Sequence, residues 1–311
     1  MKKTAVIAIG GNAVNRPGES PTAENMLSAL NDAMKHIVEL LEDYSVVITH
    51  GNGPQVGNLL IQQEMAKSVI PPFPIDVNDA QTQGSLGYMI AQSLRNQLLK
   101  VGMKREIAAI VTQVVVDKND PAFFNPTKPV GPFYTKEEAE KLAKEKGWVM
   151  KEDAGRGFRR VVPSPKPLEI VEKDVIKLLL TSDVVVIAVG GGGIPVVKEN
   201  GQLKGVEAVI DKDRASSLLA VEINADIFII LTGVEKVSLN YKKPNQVDLD
   251  HLTIEEAEKY LKEGHFPEGS MGPKIEAAIN FVKSTGRECL ITEISKLKEA
   301  LNGLTGTRIT K

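Results

Sequence analysis

The sequence predicts an α/β fold: a three-layer αβα sandwich with helices on both faces of a mostly parallel central sheet. Short unbroken apolar runs alternate with helical segments along the chain, the pattern of buried parallel strands joined by right-handed crossovers. Four of these runs end in a glycine turn, at Gly10-Gly11, Gly51-Asn52-Gly53, Gly190 to Gly193 and Gly233. At 311 residues the chain is long for one core, so two domains are expected.

Ala5 to Ile9 is the first strand, running into Gly10-Gly11-Asn12. A helix from about Thr22 to Leu41 follows, with Met26, Leu30, Ala33, Met34, Ile37 and Leu41 at helical spacing. Val46 to Thr49 is a second strand, leading into His50-Gly51-Asn52-Gly53-Pro54, and helices are expected at about Val56 to Ala66 and Asn78 to Lys100. Ile107 to Val116 reads as a third strand. Between Lys118 and Tyr134, four prolines and no clean period predict a loop. Thr135-x-x-Glu138 is a capping box that opens a helix ending near Gly147. Short strands at Trp148 to Glu152 and Phe158 to Val162 are joined through Gly155-Arg156-Gly157, so residues from about 120 to 165 form a small insertion standing off the sheet. Leu168 to Leu180 reads as helix, Val184 to Val189 as a fourth strand and Asn200-Gly201 as a hairpin turn. The apolar run Val206 to Ile210 leads into a helix from Lys212 to about Ile223, placing Asp211-Lys212-Asp213 at a strand-to-helix boundary. Asp226 to Thr232 is a fifth strand, Thr253-x-x-Glu256 caps another helix, Gly269 to Lys274 opens a helix to about Ser284, and Glu288 to Thr292 is a sixth strand.

Composition excludes several classes. The chain is 42% hydrophobic and 25% charged with a formal net charge of -2, an ordinary globular balance with no electrostatic case for nucleic acid or membrane. The four histidines, His36, His50, His251 and His265, have no metal-ligand spacing, and no protein metal ligand is predicted. The single cysteine, Cys289, lies in an apolar run, reads as core, and excludes an intramolecular disulfide. The apolar run after Met1-Lys2-Lys3 is too short for a signal segment, so a cytoplasmic location is expected.

In such sheets ligands bind beyond the carboxyl ends of the strands. Four glycine turns on that rim suggest a ligand needing close backbone approach and many N–H donors, which points to phosphate. Gly51-x-Gly53-x-x-x-Gly57 misses the dinucleotide spacing by one, and the acidic residue expected downstream would be Asp76, beside a proline-rich stretch that cannot be the required strand. No Gly-Lys dipeptide exists for a P-loop, and the protein-kinase motifs are missing. What remains is three lysines in turns, Lys128, Lys212 and Lys274. Singly, each is more often a solvated surface charge, and Asp211 or Asp213 more often a helix cap. Beside a phosphate cradle such lysines can compensate the charge of a transferring group, with Asp213 able to orient them.

Several stretches, from one end of the chain to the other, carry a resemblance. They are Ile9 to Ala13, Val47 to Gly57, Val116 to Ala122, Asn125 to Pro132, Arg159 to Pro165, Gly205 to Asp213 and Gly264 to Lys274. On these the chain resembles the amino-acid kinase superfamily and, through the proline-rich insertion and Gly-Ser-Met-Gly-Pro-Lys274, its carbamate kinase branch. The resemblance implies an amino-acid kinase-like fold, with an acceptor domain over residues 1–211 that includes the insertion and a nucleotide domain over 212–311. It implies phosphoryl transfer between ATP and carbamate, giving ADP and carbamoyl phosphate, with Mg²⁺ and a homodimer. Carbamate is already an anion, so no general base is needed, and catalysis reduces to positioning and charge neutralisation. By the same resemblance Gly10, Gly11, Asn12, Gly51, Asn52 and Gly53 surround the acceptor and the moving phosphate. Lys212 and Lys274 contact nucleotide phosphates, Asp213 organises them, and Lys128 reaches over the acceptor from the insertion. Thr232, Gly233, Val234, Tyr241, Met271 and Gly272 fall on the nucleoside side. Asn240-Tyr241-Lys242-Lys243 departs from the family's frequent Asn-Phe-Gly-Lys, which bears on the role of Tyr241. A kinase for acetylglutamate or aspartate, and a non-catalytic nucleotide sensor on the same fold, are the alternatives.

Overall fold

The computed structural model describes residues 2–152, 157–267 and 269–311. The chain opens with β1 (Lys3–Ile9), α1 (Ala23–Val38), β2 (Tyr44–His50), α2 (Gly53–Ala66) and α3 (Ile75–Val101). Thr22 caps α1, its hydroxyl accepting from Asn25 N, and Gly102 ends α3 at φ 70°. Next come β3 (Ile107–Ala109), β4 (Gln113–Val116), β5 (Lys128–Tyr134), α4 (Lys136–Lys146), β6 (Val149–Glu152), β7 (Phe158–Val162), β8 (Pro167–Ile170) and α5 (Lys173–Thr181). Then follow β9 (Val185–Ile187), the hairpin β10 (Ile194–Glu199) and β11 (Gln202–Gly205), α6 (Lys212–Glu222), β12 (Ile227–Thr232), β13 (Val237–Leu239) and β14 (Val247–Leu249). The last elements are β15 (His251–Thr253), α7 (Ile254–Lys262), α8 (Met271–Thr285), β16 (Cys289–Glu293), α9 (Leu297–Leu301) and β17 (Thr307–Thr310).

One eight-stranded sheet, in the order β15-β17-β16-β12-β1-β2-β9-β3, organises the molecule. Its six strands from β16 to β3 run parallel, and β17 pairs antiparallel with β16, so β15 and β17 oppose the rest. The two-residue alternation of strands divides β1 between two cores. Ala5, Ile7 and Ile9 pack with Leu30, Met34, Ile37, Leu86 and Ile90 of α1 and α3. Val6 and Ala8 face Leu219 of α6 and Ile275 and Phe281 of α8. Helices thus cover both faces, as the apolar runs predict. The core of the second face draws residues from both halves of the chain, from Val6 to Ile309.

Several expectations are corrected. Ile107 to Val116 is two strands in different sheets: β3 ends the large sheet, whereas β4 joins β11-β10-β4-β8. The switch occurs at Thr112, whose N–H donates to Gln83 Oε1 at 2.7 Å and whose hydroxyl accepts from Val189 N at 3.0 Å, replacing ladder bonds. The stretch expected as loop to Tyr134 contains β5, the edge strand of a β5-β7-β6 sheet, where Pro129 and Pro132 are tolerated. Residues 168–170, expected as the start of a helix, belong to β8, which pairs antiparallel with β4. Ile170 N donates to Glu222 Oε2 at 3.0 Å, and the chain turns before α5 begins. Val206 to Ile210 is no strand: Val206 N bonds Pro195 O and Val209 N bonds Pro163 O, so it is an irregular segment, apolar because it is largely buried. No pattern of residues marks the β13-β14 hairpin or β17 in advance.

The insertion holds together through the expected Thr135–Glu138 capping box and its three-stranded sheet. Its Gly155-Arg156 joint lies outside the described residues. Val130 and Val162 root it in the body through a small apolar cluster with Ile75 and Val209. On it the Trp148 ring lies against two cations, Lys146 Nζ at 4.2 Å and the Arg160 guanidinium at 4.5 Å from its centroid.

Candidate functional site

The strands β12, β1, β2 and β9 are neighbours, so the four glycine turns that follow them share one rim of the sheet. Close approach explains two of these glycines. A side-chain carbon at Gly10 would stand 3.0 Å from Leu231 O, and one at Gly233 would stand 2.8 Å from Asn12 Nδ2. The Gly190 to Gly193 turn reaches the rim through Gly191, which lines a cavity with Gly51 and Asn52. It is buried, Gly191 has φ 70°, and a side-chain carbon there would lie 2.1 Å from Asn52 Nδ2. This turn therefore packs closely against Asn52.

Lys212 is the first residue of α6, and its Nζ donates to Ile9 O at 3.0 Å, reaching back to the end of β1. That Nζ is also 3.1 Å from Asp213 Oδ1, while Lys274 Nζ, one turn into α8, is 2.9 Å from Asp213 Oδ2. One buried carboxylate, its side chain 4% exposed, thus holds two ammonium groups from two helices. Burial pushes the Asp213 carboxyl up, but Lys212 and Lys274 outweigh it and hold it below the ordinary carboxylate range. Burial pushes the Lys212 ammonium down, against the pull of Asp213. Arg214 Nε donating to Glu276 Oε2 at 3.0 Å ties the same two helices a second time.

Asp211, not Asp213, is the cap of α6: its Oδ1 accepts from Asp213 N at 3.0 Å and Arg214 N at 3.2 Å. Its other oxygen is 3.6 Å from Nζ of Lys128 on β5. On the β2 side, Asn52 is buried and its amide donates to Asp79 Oδ1 at 2.9 Å and Thr82 Oγ1 at 2.8 Å. Burial raises the Asp79 carboxyl to about 8. With its side chain so engaged, Asn52 leaves the first N–H groups of α2 uncapped at the rim, a setting that suits an anion. His50, buried beneath Gly190, is held near 4 by desolvation, so it is neutral at pH 7 and carries no charge to the rim.

Three adjoining cavities share Lys274. One of about 260 Å³ is lined by Gly11, Gly51, Asn52, Gly53, Lys128, Asp211, Lys212 and Asp213. A second of about 240 Å³ holds Gly10, Gly11, Asn12, Lys212 and Gly233. A third of about 290 Å³ is lined by Thr232, Gly233, Val234, Tyr241 and Met271. Of the site residues that the resemblance implies, Gly272 alone lies off these walls. It sits against Pro267, whose carbonyl accepts its N–H at 2.9 Å. Lys236, Ser238, His265, Phe266 and Ser270 also line the third cavity; the last three lie in the Gly264 to Lys274 stretch without having been singled out, and no motif marks Lys236 or Ser238. Asp79 and Thr82, which hold Asn52, were hidden in a helix whose pattern marks packing alone. Lys242, at the family's glycine position, has φ 61° and lies over the Tyr241 ring at 5.4 Å.

Among the described residues no group of three or more His, Cys, Asp or Glu side chains could hold a metal ion. The cleft carboxylates are committed, Asp213 to two lysines and Asp211 to a helix end and Lys128. They do not make a protein ligand set for Mg²⁺.

The model of the amino acid kinase family matches residues 3–293. A carbamate kinase from Pyrococcus horikoshii is 53% identical, with all of both chains covered. One from Thermococcus kodakarensis is 54% identical, with 99% of each chain covered. Among solved structures, carbamate kinase from Giardia lamblia bound to AMP-PNP superposes with a TM-score of 0.95 at 46% identity, covering 100% of this chain and 99% of that one.

Proposed function

The chain belongs to the amino acid kinase family, and from that premise we propose that it is a carbamate kinase, moving a phosphoryl group between ATP and carbamate. The observation that carries the reading is Asp213 fixed between Lys212 and Lys274 where the three cavities meet. A carbamate oxygen in the Gly51–Lys128 cavity attacks the γ-phosphorus of ATP. The new O–P bond forms as the bond to the β-phosphate oxygen breaks, and ADP leaves with that electron pair. Because carbamate arrives as an anion, no proton need be removed, and the site needs only to align the partners and neutralise charge. Lys212 and Lys274 supply two positive charges; Asp213 fixes their direction and lowers the cost of burying them together. The Gly10-Gly11-Asn12 and Gly51-Asn52-Gly53 turns take the acceptor and the moving phosphate. The cavity at Thr232, Gly233, Val234, Tyr241 and Met271 takes the nucleoside; that the chain binds an adenine nucleotide is supported by the Giardia lamblia relative bound to AMP-PNP. Mg²⁺ bound with the nucleotide would add charge neutralisation on the phosphates beside Lys212 and Lys274.

On this reading residues 1–211 serve the acceptor and 212–311 the nucleotide, and the protein is a cytoplasmic homodimer of arginine metabolism. The test is to incubate the protein with ADP, Mg²⁺ and carbamoyl phosphate and to measure ATP. Rapid ATP formation is expected. None, together with activity on acetylglutamate or aspartate, would move the protein to another branch of the family.

A further inference from the structure

We infer that Asp211 is a positioning residue for the acceptor: its single carboxylate seats the insertion's Lys128 over the acceptor cavity and at the same time fixes the first turn of α6. The inference rests on the proposed function for what occupies that cavity, but not for the contact itself.

A carboxylate on the wall of an anion-binding cavity needs a reason, because it repels the ligand. Capping does not supply one, since Ser, Thr or Asn cap a helix as well without charge. Asp211 Oδ1 performs the capping, accepting from Asp213 N and Arg214 N. The charge is explained by the other oxygen, 3.6 Å from Lys128 Nζ. Lys128 is 40% exposed and sits on an edge strand of the insertion. Without an anchor such a long side chain would sample many directions. The anchor lies where the insertion already meets the body: two residues earlier, Val209 N donates to Pro163 O at 2.9 Å and Val209 packs with Val130 and Val162. Residues 209–211 thus join the insertion to the helix that carries Lys212 and Asp213, and Asp211 sets the elements bearing Lys128 and Lys212 in one frame.

Asp211→Asn keeps the cap and removes the charge, which separates the two roles. In ATP formation from carbamoyl phosphate, the KM for carbamoyl phosphate is expected to rise about fivefold, the scale of one exposed ion pair, while the KM for ADP stays within about twofold. In a Lys128→Ala background the same substitution should add less than about twofold, since its partner is already gone. Hydrogen exchange without substrate is the second readout. Amides of β5 around Lys128 should exchange faster in Asp211→Asn, with those of Asp213 and Arg214 unchanged. An equal rise in both KM values, full additivity with Lys128→Ala, or unaltered exchange across β5 would each overturn the inference. Wild-type protein that forms no ATP from carbamoyl phosphate would sink the proposed function instead, and the exchange measurement would then decide this inference alone.

Discussion

Asp79 offers a prediction whose size follows from its surroundings. Its carboxyl is buried, accepts one hydrogen bond from the Asn52 amide, and is raised from 3.8 to about 8, chiefly by desolvation. A carboxyl raised in the folded state binds its proton more tightly there than in the unfolded chain. Its contribution to stability is therefore complete below about 3.8 and is lost as pH rises through about 8. Within that window stability falls by about 1.4 kcal/mol per pH unit, or about 4 kcal/mol between pH 5 and pH 8, an upper bound because buried sites relax around a new charge. Asp79→Asn removes this titration while leaving an oxygen for Asn52. Urea unfolding of both proteins between pH 5 and pH 9 isolates Asp79, since every other titrating group cancels in the difference. The variant should gain on wild type by about 2–4 kcal/mol between pH 5 and pH 8, and then level off. A difference that stays flat across the range would show that Asp79 ionises as freely in the folded protein as in the unfolded chain.

Lys212→Ala or Lys274→Ala should lower kcat by at least about 100-fold with folding retained; near-normal turnover in either would remove that lysine from the mechanism. Gly191→Ala should destabilise by about 2 kcal/mol or more, because the backbone there is left-handed and the new methyl would meet Asn52 at 2.1 Å. A thermal melt beside a carbamoyl phosphate KM checks both consequences, and an unchanged KM would mean that Asn52 does not touch the acceptor. Lys242→Gly should stabilise by up to about 1 kcal/mol, since φ 61° costs a lysine more than the added unfolded-state freedom costs the glycine; a loss in urea midpoint would refute this.

How far the residues alone disclosed the molecule depended on the kind of signal. Ala5 to Ile9, Val46 to Thr49 and Asp226 to Thr232 lie in strands buried on both faces, and continuous apolarity is a direct mark of that position. The capping boxes at Thr135 and Thr253 were legible because their two hydrogen bonds are local in sequence. Ile107 to Val116 failed for the opposite reason: what divides it is Gln83, a side chain from a distant helix, which no pattern within the stretch encodes. Val206 to Ile210 misled because burial of an irregular segment leaves the same apolar trace as a strand. In the site, the lysines and glycine turns could be singled out through motifs, whereas Asp79 could not, since its role is created by the fold bringing α3 beneath Asn52. Asp211 is legible as a helix cap, which its Oδ1 fulfils; the contact of Oδ2 with Lys128 is made only when the insertion folds over.

The cation-flanked ring of Trp148 has a practical corollary. It is the sole indole in the chain, and it sits on the insertion, away from the eight-stranded sheet. Emission from it is therefore a local signal, set by the contacts of Lys146 and Arg160 with the ring. A denaturation curve followed by that emission records when the insertion loses its packing, while far-ultraviolet circular dichroism records the sheet and its helices. Coincident curves would identify one cooperative unit; an earlier optical transition would show the insertion detaching from a body that is still folded.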